Sequence, residues 1–344
     1  MKKITYILLV LVLCLSGLGC GNSGQTNENT EAETSKENTA STKVTLEKIL
    51  SCGYVKPDSR ISLVNWNMNP CVVTEGRAFV YQDNVWNEMD SENGIREVFS
   101  GENFCALDQQ GKILTDADAF ESYDGLPLTT AAIHYNAEQM VHVLNDEKND
   151  EKLSLLGGNI FTNSIVYLDN GCLKVFKNGE GKVLSDSIAV SKISGNFILT
   201  EDGDVIRITY NDFDGVITNI YLKKVSTEKY IDISVCDTAP RCIGIREDGT
   251  VNLLWSDVEL NLNLDMENVK AVSMGFNYAV ILCDDGHVVF RSSDYDTEQE
   301  VMAQLNTFDE KAIDITCYSN NVAVLLENGD VVKLTFDWKT SGGK

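Results

Sequence analysis

The stretch VSMGFNYAVILCDDGHVVF, Val272 to Phe290, decides the fold, because the chain from Val44 onward reads as imperfect copies of it. Apolar residues alternate up to Asp285-Gly286 and resume at Val288 and Phe290. A period of two marks a strand with one face toward a core, and the turn glycine tolerates the positive φ that tight hairpins demand. The stretch therefore predicts a β-hairpin, and its recurrence predicts the architecture.

Seven turn glycines share one frame: Gly76, Gly111, Gly171, Gly203, Gly249, Gly286 and Gly329. Four positions before them lie Val72, Leu107, Tyr167, Leu199, Ile245, Leu282 and Leu325, and two positions after them Ala78, Ile113, Leu173, Val205, Val251, Val288 and Val331. Random glycine placement would not keep both columns apolar. The glycines are spaced by 35, 60, 32, 46, 37 and 43 residues. Strand–turn–strand units recurring about every 40 residues mark a radial β array rather than a helical solenoid.

The predicted fold is therefore all-β: a single β-propeller over residues 44–338, with seven blades as the first choice and eight as the alternative. An eighth unit fits the 60-residue gap, where AIHYNAEQMVHVLNDEKND keeps the apolar run and the polar turn but has lost its glycine near Asp146-Glu147. One hairpin cannot bury its apolar face alone, whereas radially packed four-stranded blades cover both faces of each sheet. Val44 to Cys52 is either a short helix or a strand closing the ring against the last blade. Ser292 to Ala312 holds a short helix over residues 297–305, and Ile208 to Val225 an outer hairpin turning at Asp214-Gly215; both inserts are candidate contact regions.

VFSGENFCALDQQGKIL, ISGNFILTEDGDVIRI, CIGIREDGTVNLLW, VSMGFNYAVILCDDGHVVF and ITCYSNNVAVLLENGDVVKL resemble repeats of the regulator of chromosome condensation family. REDGTVNLLW, Arg246 to Trp255, is the nearest match to that unit. The family's Trp-Gly survives only as Trp255-Ser256, and the His that commonly follows its Gly is absent. The resemblance implies a propeller that serves as an interaction scaffold. It carries no specific activity to this chain.

Lys2 and Lys3 precede an apolar run from Ile4 to Leu18, followed by Gly19-Cys20. This is the layout of an export signal over residues 1–19, too short for a comfortable membrane span. Gly17-Leu18-Gly19-Cys20 resembles the lipobox of bacterial lipoproteins, apart from Gly17 where leucine is usual. The resemblance implies cleavage before Cys20, lipidation of Cys20, and anchoring to the outer face of a bacterial membrane; a plain secretory signal and an uncleaved anchor are the alternatives. Residues 20–43, polar apart from Ala, form a tether with a reach of roughly 25–30 Å. Residues 339–344 are a polar tail.

Net charge is −24, and −26 once residues 1–19 are removed. With no clustered Lys or Arg, nucleic acid is not an expected partner. Eight cysteines lie beyond Cys20, most in strand-like runs where a free thiol packs as a small hydrophobe. They are expected to be reduced, with Cys236–Cys242 and Cys52–Cys71 the pairs to test. No nucleophile elbow, no HExxH and no zinc spacing occurs. The three histidines, His134, His142 and His287, read as surface or turn residues rather than bases. Asp294, Asp296, Glu298 and Glu300 superficially suggest calcium, but Gln299 and Leu305 stand where such a loop needs a Gly and a bidentate acid. Trp66, Trp86, Tyr295 and Trp338 are either an aromatic platform or ordinary packing.

No cofactor or metal is expected, and no catalytic residue is assigned. The sequence points to a monomeric, membrane-anchored extracytoplasmic lipoprotein whose propeller is a non-catalytic binding scaffold for a protein or glycan. The alternative is a propeller enzyme, a glycoside hydrolase or polysaccharide lyase, acting on extracellular polysaccharide through paired carboxylates.

Overall fold

The computed structural model describes residues 43–337 apart from 66, 90, 101–103, 110–112, 116–152, 160–163, 170–171, 178–179, 214–215 and 237–238. The export signal, Cys20, the tether, the tail, the unit near Asp146-Glu147, His134, His142, Trp66, Trp338 and the turns at Gly111, Gly171 and Asp214-Gly215 lie outside the described residues.

The chain begins with β1 (Lys43–Ile49). Among the described residues, six antiparallel sheets follow in chain order. They are β2–β5 (Arg60–Val64, Asn69–Thr74, Arg77–Gln82, Val85–Glu88), β6–β8 (Ile95–Phe99, Cys105–Asp108, Ile113–Thr115) and β9–β12 (Leu153–Asn159, Ser164–Asp169, Cys172–Lys177, Glu180–Ser185). Next come β13–β16 (Val190–Ser194, Phe197–Thr200, Val205–Phe213, Val216–Lys224), β17–β19 (Tyr230–Val235, Cys242–Arg246, Val251–Trp255) and β20–β22 (Val269–Met274, Tyr278–Cys283, Val288–Ser292). Helix α1 (Tyr295–Leu305) precedes β23–β25 (Ala312–Tyr318, Asn321–Leu326, Val331–Asp337). The last sheet takes β1 as its outermost strand, with Lys43 opposite Asp337 and Ile49 opposite Val331. Val44 to Ile49 is therefore a strand, and it closes the ring by pairing the first described strand with the last.

The first strand of each sheet lines an axis: β23 touches β2, β2 touches β6, and β9, β13, β17, β20 and β23 touch in succession. The fold is a β-propeller. Its core lies in the seams between sheets. Tyr278, Phe290 and Phe336 pack one seam with ring centroids 5.1–5.4 Å apart; Val251, Ile245 and Ile281 pack another; Ile49, Ile61, Leu63, Leu325 and Val331 pack the closing seam.

In five of the seven units the apolar residues flanking the turn glycine are direct cross-strand partners: Leu107 faces Ile113, Leu199 faces Val205, Ile245 faces Val251, Leu282 faces Val288, and Leu325 faces Val331. In the first sheet the turn is tighter, so Ala78 faces Val73, and Glu75 joins Gly76 at positive φ. In the third sheet, likewise, Leu173 pairs with Leu168 and Tyr167 with Lys174. In the β13–β16 sheet and those after it the turn adds a residue. Gly286, at φ +87°, donates its N–H to Cys283, and the Cys283 N–H reaches the carbonyl of His287, a three-residue loop ending in a glycine bulge.

That glycine also joins sheets. Its carbonyl accepts the first amide of the next inner strand: Gly76 from Ile95 at 2.6 Å, Gly203 from Tyr230 at 2.9 Å, Gly249 from Val269 at 3.3 Å, and Gly286 from Ala312 at 2.9 Å. A second set of inter-sheet bonds runs along the axis. Ser194 Oγ accepts the N–H of Val235, Ser234 Oγ that of Met274, and Ser273 Oγ that of Cys317, at 2.9–3.1 Å. These amides have no ladder partner on that side, so the neighbouring hydroxyl satisfies them.

Cys71 and Cys242 are buried in strands, and burial pushes both thiols well above their ordinary range. Neither Cys52–Cys71 nor Cys236–Cys242 is bridged. Among the described residues no helix is long and apolar enough to cross a membrane.

Candidate functional site

Both inserts form as expected. Helix α1 starts two residues earlier than predicted, capped by Asp294, which accepts the Asp296 N–H at 3.1 Å and the Thr297 hydroxyl at 2.8 Å. Glu298 bonds the Ser292 amide and lies 3.2 Å from Arg291. Two of the four acids that superficially suggested calcium are thus helix-start ligands, and no metal-binding group of His, Cys, Asp or Glu is found among the described residues. The outer hairpin exists as β15 and β16, paired from Ile206–Lys224 to Phe213–Val216.

Trp86 and Tyr295 do not share a platform. Trp86 is on β5, whereas Tyr295, largely exposed, opens α1 after β22. Trp86 instead belongs to a cluster on the first sheet that sequence reading missed. Its indole donates to the Leu50 carbonyl at 2.7 Å, and its ring meets Tyr81 at 5.2 Å. Two positions along β4 from Tyr81, Phe79 stacks on Tyr54 at 5.0 Å with an interplanar angle of 8°. The Arg77 guanidinium lies 4.3 Å from the Tyr54 ring centroid and is held there by Glu88 through two 2.5 Å bonds. Leu50 (73% exposed) and Tyr54 (47%) present apolar surface to solvent on this rigid base, whereas Val85 (57%), cross-strand from Gln82, lies on the opposite face of β5 from Trp86. Leu50 and Tyr54 stand in the segment joining β1 to β2, which has no repeat pattern. No periodic signal could have flagged them.

The axial strands carry a second polar feature. Leaving out β9, which stands between β6 and β13, Asp314 (β23), Arg60 (β2), Glu97 (β6), Lys192 (β13), Asp232 (β17) and Lys270 (β20) alternate in sign around the axial strands. Lys192 pairs with Asp232 at 2.6 Å, and Lys270 bonds the Ile313 carbonyl at 3.2 Å. Asp314 Oδ2 accepts the Ile61 amide at 2.8 Å across the closing seam. Burial pushes its carboxyl up to about 6, opposed by that amide and by the nearby Arg60 and Lys270 charges. Burial likewise raises the Glu97 pKa against Arg96 and Lys192.

A cavity of about 240 Å³ opens between the last two sheets beside the end of α1. Leu305, Phe308, Val324 and Val332 form its apolar wall, with His287 and Glu310 among the residues lining it. Lys48, 4.0 Å from Glu310 and 3.1 Å from Asp330, ties this region to β1.

Against known proteins, no family model and no curated sequence matches the chain. Among solved structures it is similar to YCF48 bound to a D1 peptide (13% identity, TM-score 0.48, 86% of this chain and 97% of that one). It is also similar to human WBSCR16 (9%, 0.49, 81% and 87%) and to Prp20p from Saccharomyces cerevisiae (10%, 0.45, 82% and 82%).

Proposed function

We propose that the chain is a lipoprotein anchored through Cys20 to the outer face of a bacterial membrane, and that its propeller is a non-catalytic scaffold binding an envelope protein or glycan. The observation that carries the binding role is the exposed Leu50–Tyr54 surface, backed by Tyr81, Trp86 and the Tyr54–Phe79 stack. Exposed aromatic and aliphatic groups on a rigid, hydrogen-bonded base bury area at little entropic cost, which is how interaction surfaces are built. The leader and the tether support the location: a polar segment of residues 20–43 would hold the ring clear of the lipid surface.

The test is capture from envelope extract by the full-length chain, with glycan-digested extract in parallel and a Leu50→Ser/Tyr54→Ser variant beside the wild type. A saturable ligand lost in the variant supports the reading. Equal capture by both chains removes the surface from the account. Replacing Cys20 by Ser is expected to release the chain from membranes, and retention of that variant would contradict the anchor.

The enzyme alternative has one observation in its favour, the raised pKa values of Asp314 and Glu97 on axial strands. It requires polysaccharide cleavage by the purified chain that Asp314→Asn abolishes.

A further inference from the structure

Arg207 differs from the chain's other well-placed arginines. Arg77, Arg241, Arg246 and Arg291 each pair with a carboxylate. No carboxylate among the described residues pairs with Arg207, in a chain with 52 acidic residues. It lies in the seam between the β13–β16 sheet and the β17–β19 sheet, and its placement follows from register. Phe197, Arg207 and Lys223 are successive cross-strand partners and so share one face. Phe197 is fully buried against the next sheet, so Arg207 points into that seam, with exposed Lys223 outside it.

The opposite wall is shaped by a bulge. Cys242 pairs with Trp255 while Ile243 pairs with Leu253, which leaves Leu254 as the extra residue. Leu254 and Trp255 therefore both pack in this seam, whereas Leu253 packs in the following one. By strand alternation Asn252 shares the Leu254 face. The outcome is a guanidinium 4.1 Å from the Trp255 ring centroid, with three buried polar atoms that have no partner among the described residues: Arg207 Nε, Trp255 Nε1 and Asn252 Oδ1. Two are donors and one is an acceptor. Buried polar atoms without partners are uncommon and costly, and three on the walls of one seam call for an explanation.

We propose that this seam is a binding site for a hydroxylated carboxylate, the chemistry of a uronic acid residue. The carboxylate takes the Nε edge of Arg207 in a side-on, charge-assisted pair. A ring hydroxyl accepts from Trp255 Nε1 and donates to Asn252 Oδ1, using both kinds of unmet group at once. A carboxylate alone offers only acceptors, so an acidic peptide would have to bring a backbone N–H to Asn252 as well, whereas a uronic acid carries hydroxyl and carboxylate on one ring. The guanidinium is partly exposed, while Nε and the indole N–H are covered. Seating the ligand therefore swings Arg207 off the Trp255 ring. The proposal rests on the scaffold reading and gives its glycan half a chemical class.

The test is the indole N–H spectrum of the full-length 15N-labelled chain titrated with glucuronate, and separately with glucose, acetate and an N-acetyl-glutamate amide. Glucuronate is expected to shift one indole resonance saturably, and that resonance is absent in Trp255→Phe. Arg207→Gln should weaken glucuronate at least tenfold. Asn252→Ala, which leaves the stack intact, should weaken glucuronate severalfold without changing the response to acetate. No shift with glucuronate overturns the site, as does an equal shift with glucose or undiminished binding by Arg207→Gln. An equal response to the glutamate amide overturns the sugar assignment and makes the ligand an acidic peptide. If glucuronate fails while the chain still captures an envelope ligand from extract, the seam assignment falls and the scaffold reading stands.

Discussion

The carbonyl of Gly286 accepts the amide of Ala312 at 2.9 Å, and a β-carbon built on Gly286 would lie 2.6 Å from Lys311 Cβ. The residue that turns one hairpin is thus also the one that docks the next sheet. At Gly249 the same bond to Val269 exists, but the nearest atom to a built β-carbon is 3.5 Å away.

These two glycines should therefore respond differently. Gly249→Ala carries only the left-handed backbone cost, about 1–2 kcal/mol. Gly286→Ala adds a clash and should lose roughly 2–4 kcal/mol in all. Urea unfolding of both variants checks this, and equal losses would mean that packing against Lys311 plays no part.

Ser273 offers a second check of inter-sheet bonding. Its Oγ accepts the Cys317 amide at 2.9 Å in a buried setting. Ser273→Ala leaves that amide unmet and should cost about 1–3 kcal/mol. Hydrogen exchange at Cys317 should accelerate by the corresponding factor.

Much of this was legible in advance. The paired columns around the turn glycines exposed the hairpins because side-chain alternation and the glycine bulge are local. The docking role of the same glycines was hidden, since it depends on where the next sheet starts. The axial hydroxyls left a partial trace, in Lys192-Ile193-Ser194, Asp232-Ile233-Ser234 and Asp314-Ile315-Thr316, a charged–Ile–hydroxyl triplet opening three of the sheets, whereas Ser273 follows Ala271-Val272. The Arg207–Trp255 stack left none: it needs the bulge at Leu254 and a neighbour 48 positions away in the chain.

Asp314 sets a pH dependence. Its pKa is raised from 3.8 to about 6 in the folded chain. Between those values the folded state holds a proton that the unfolded chain has released. The stability from this group is therefore full below pH 3.8 and is lost as pH rises through about 6. Asp314→Asn keeps an acceptor for the Ile61 amide without the buried charge, next to Arg60 and Lys270. It should raise the melting temperature by a few degrees at pH 7.5 and by clearly less at pH 4.5; an equal effect at both would contradict the assignment.

The cysteines give a chemical check. Cys71 and Cys242 are fully buried free thiols with pKa values pushed up by burial. Both should resist alkylation in the native chain at pH 8 and react fully in urea. Reductant should leave the melting temperature unchanged, and a drop would reveal a bridge.

The central claim is that the first-sheet surface meets a partner. A photoreactive benzophenone residue in place of Leu50, expressed in cells that export the chain, tests it most directly, with the same residue in place of exposed Val258 as the control. The account predicts a discrete cross-linked adduct from position 50 and none from position 258. Adducts of equal yield from both positions, or none from position 50, would contradict it.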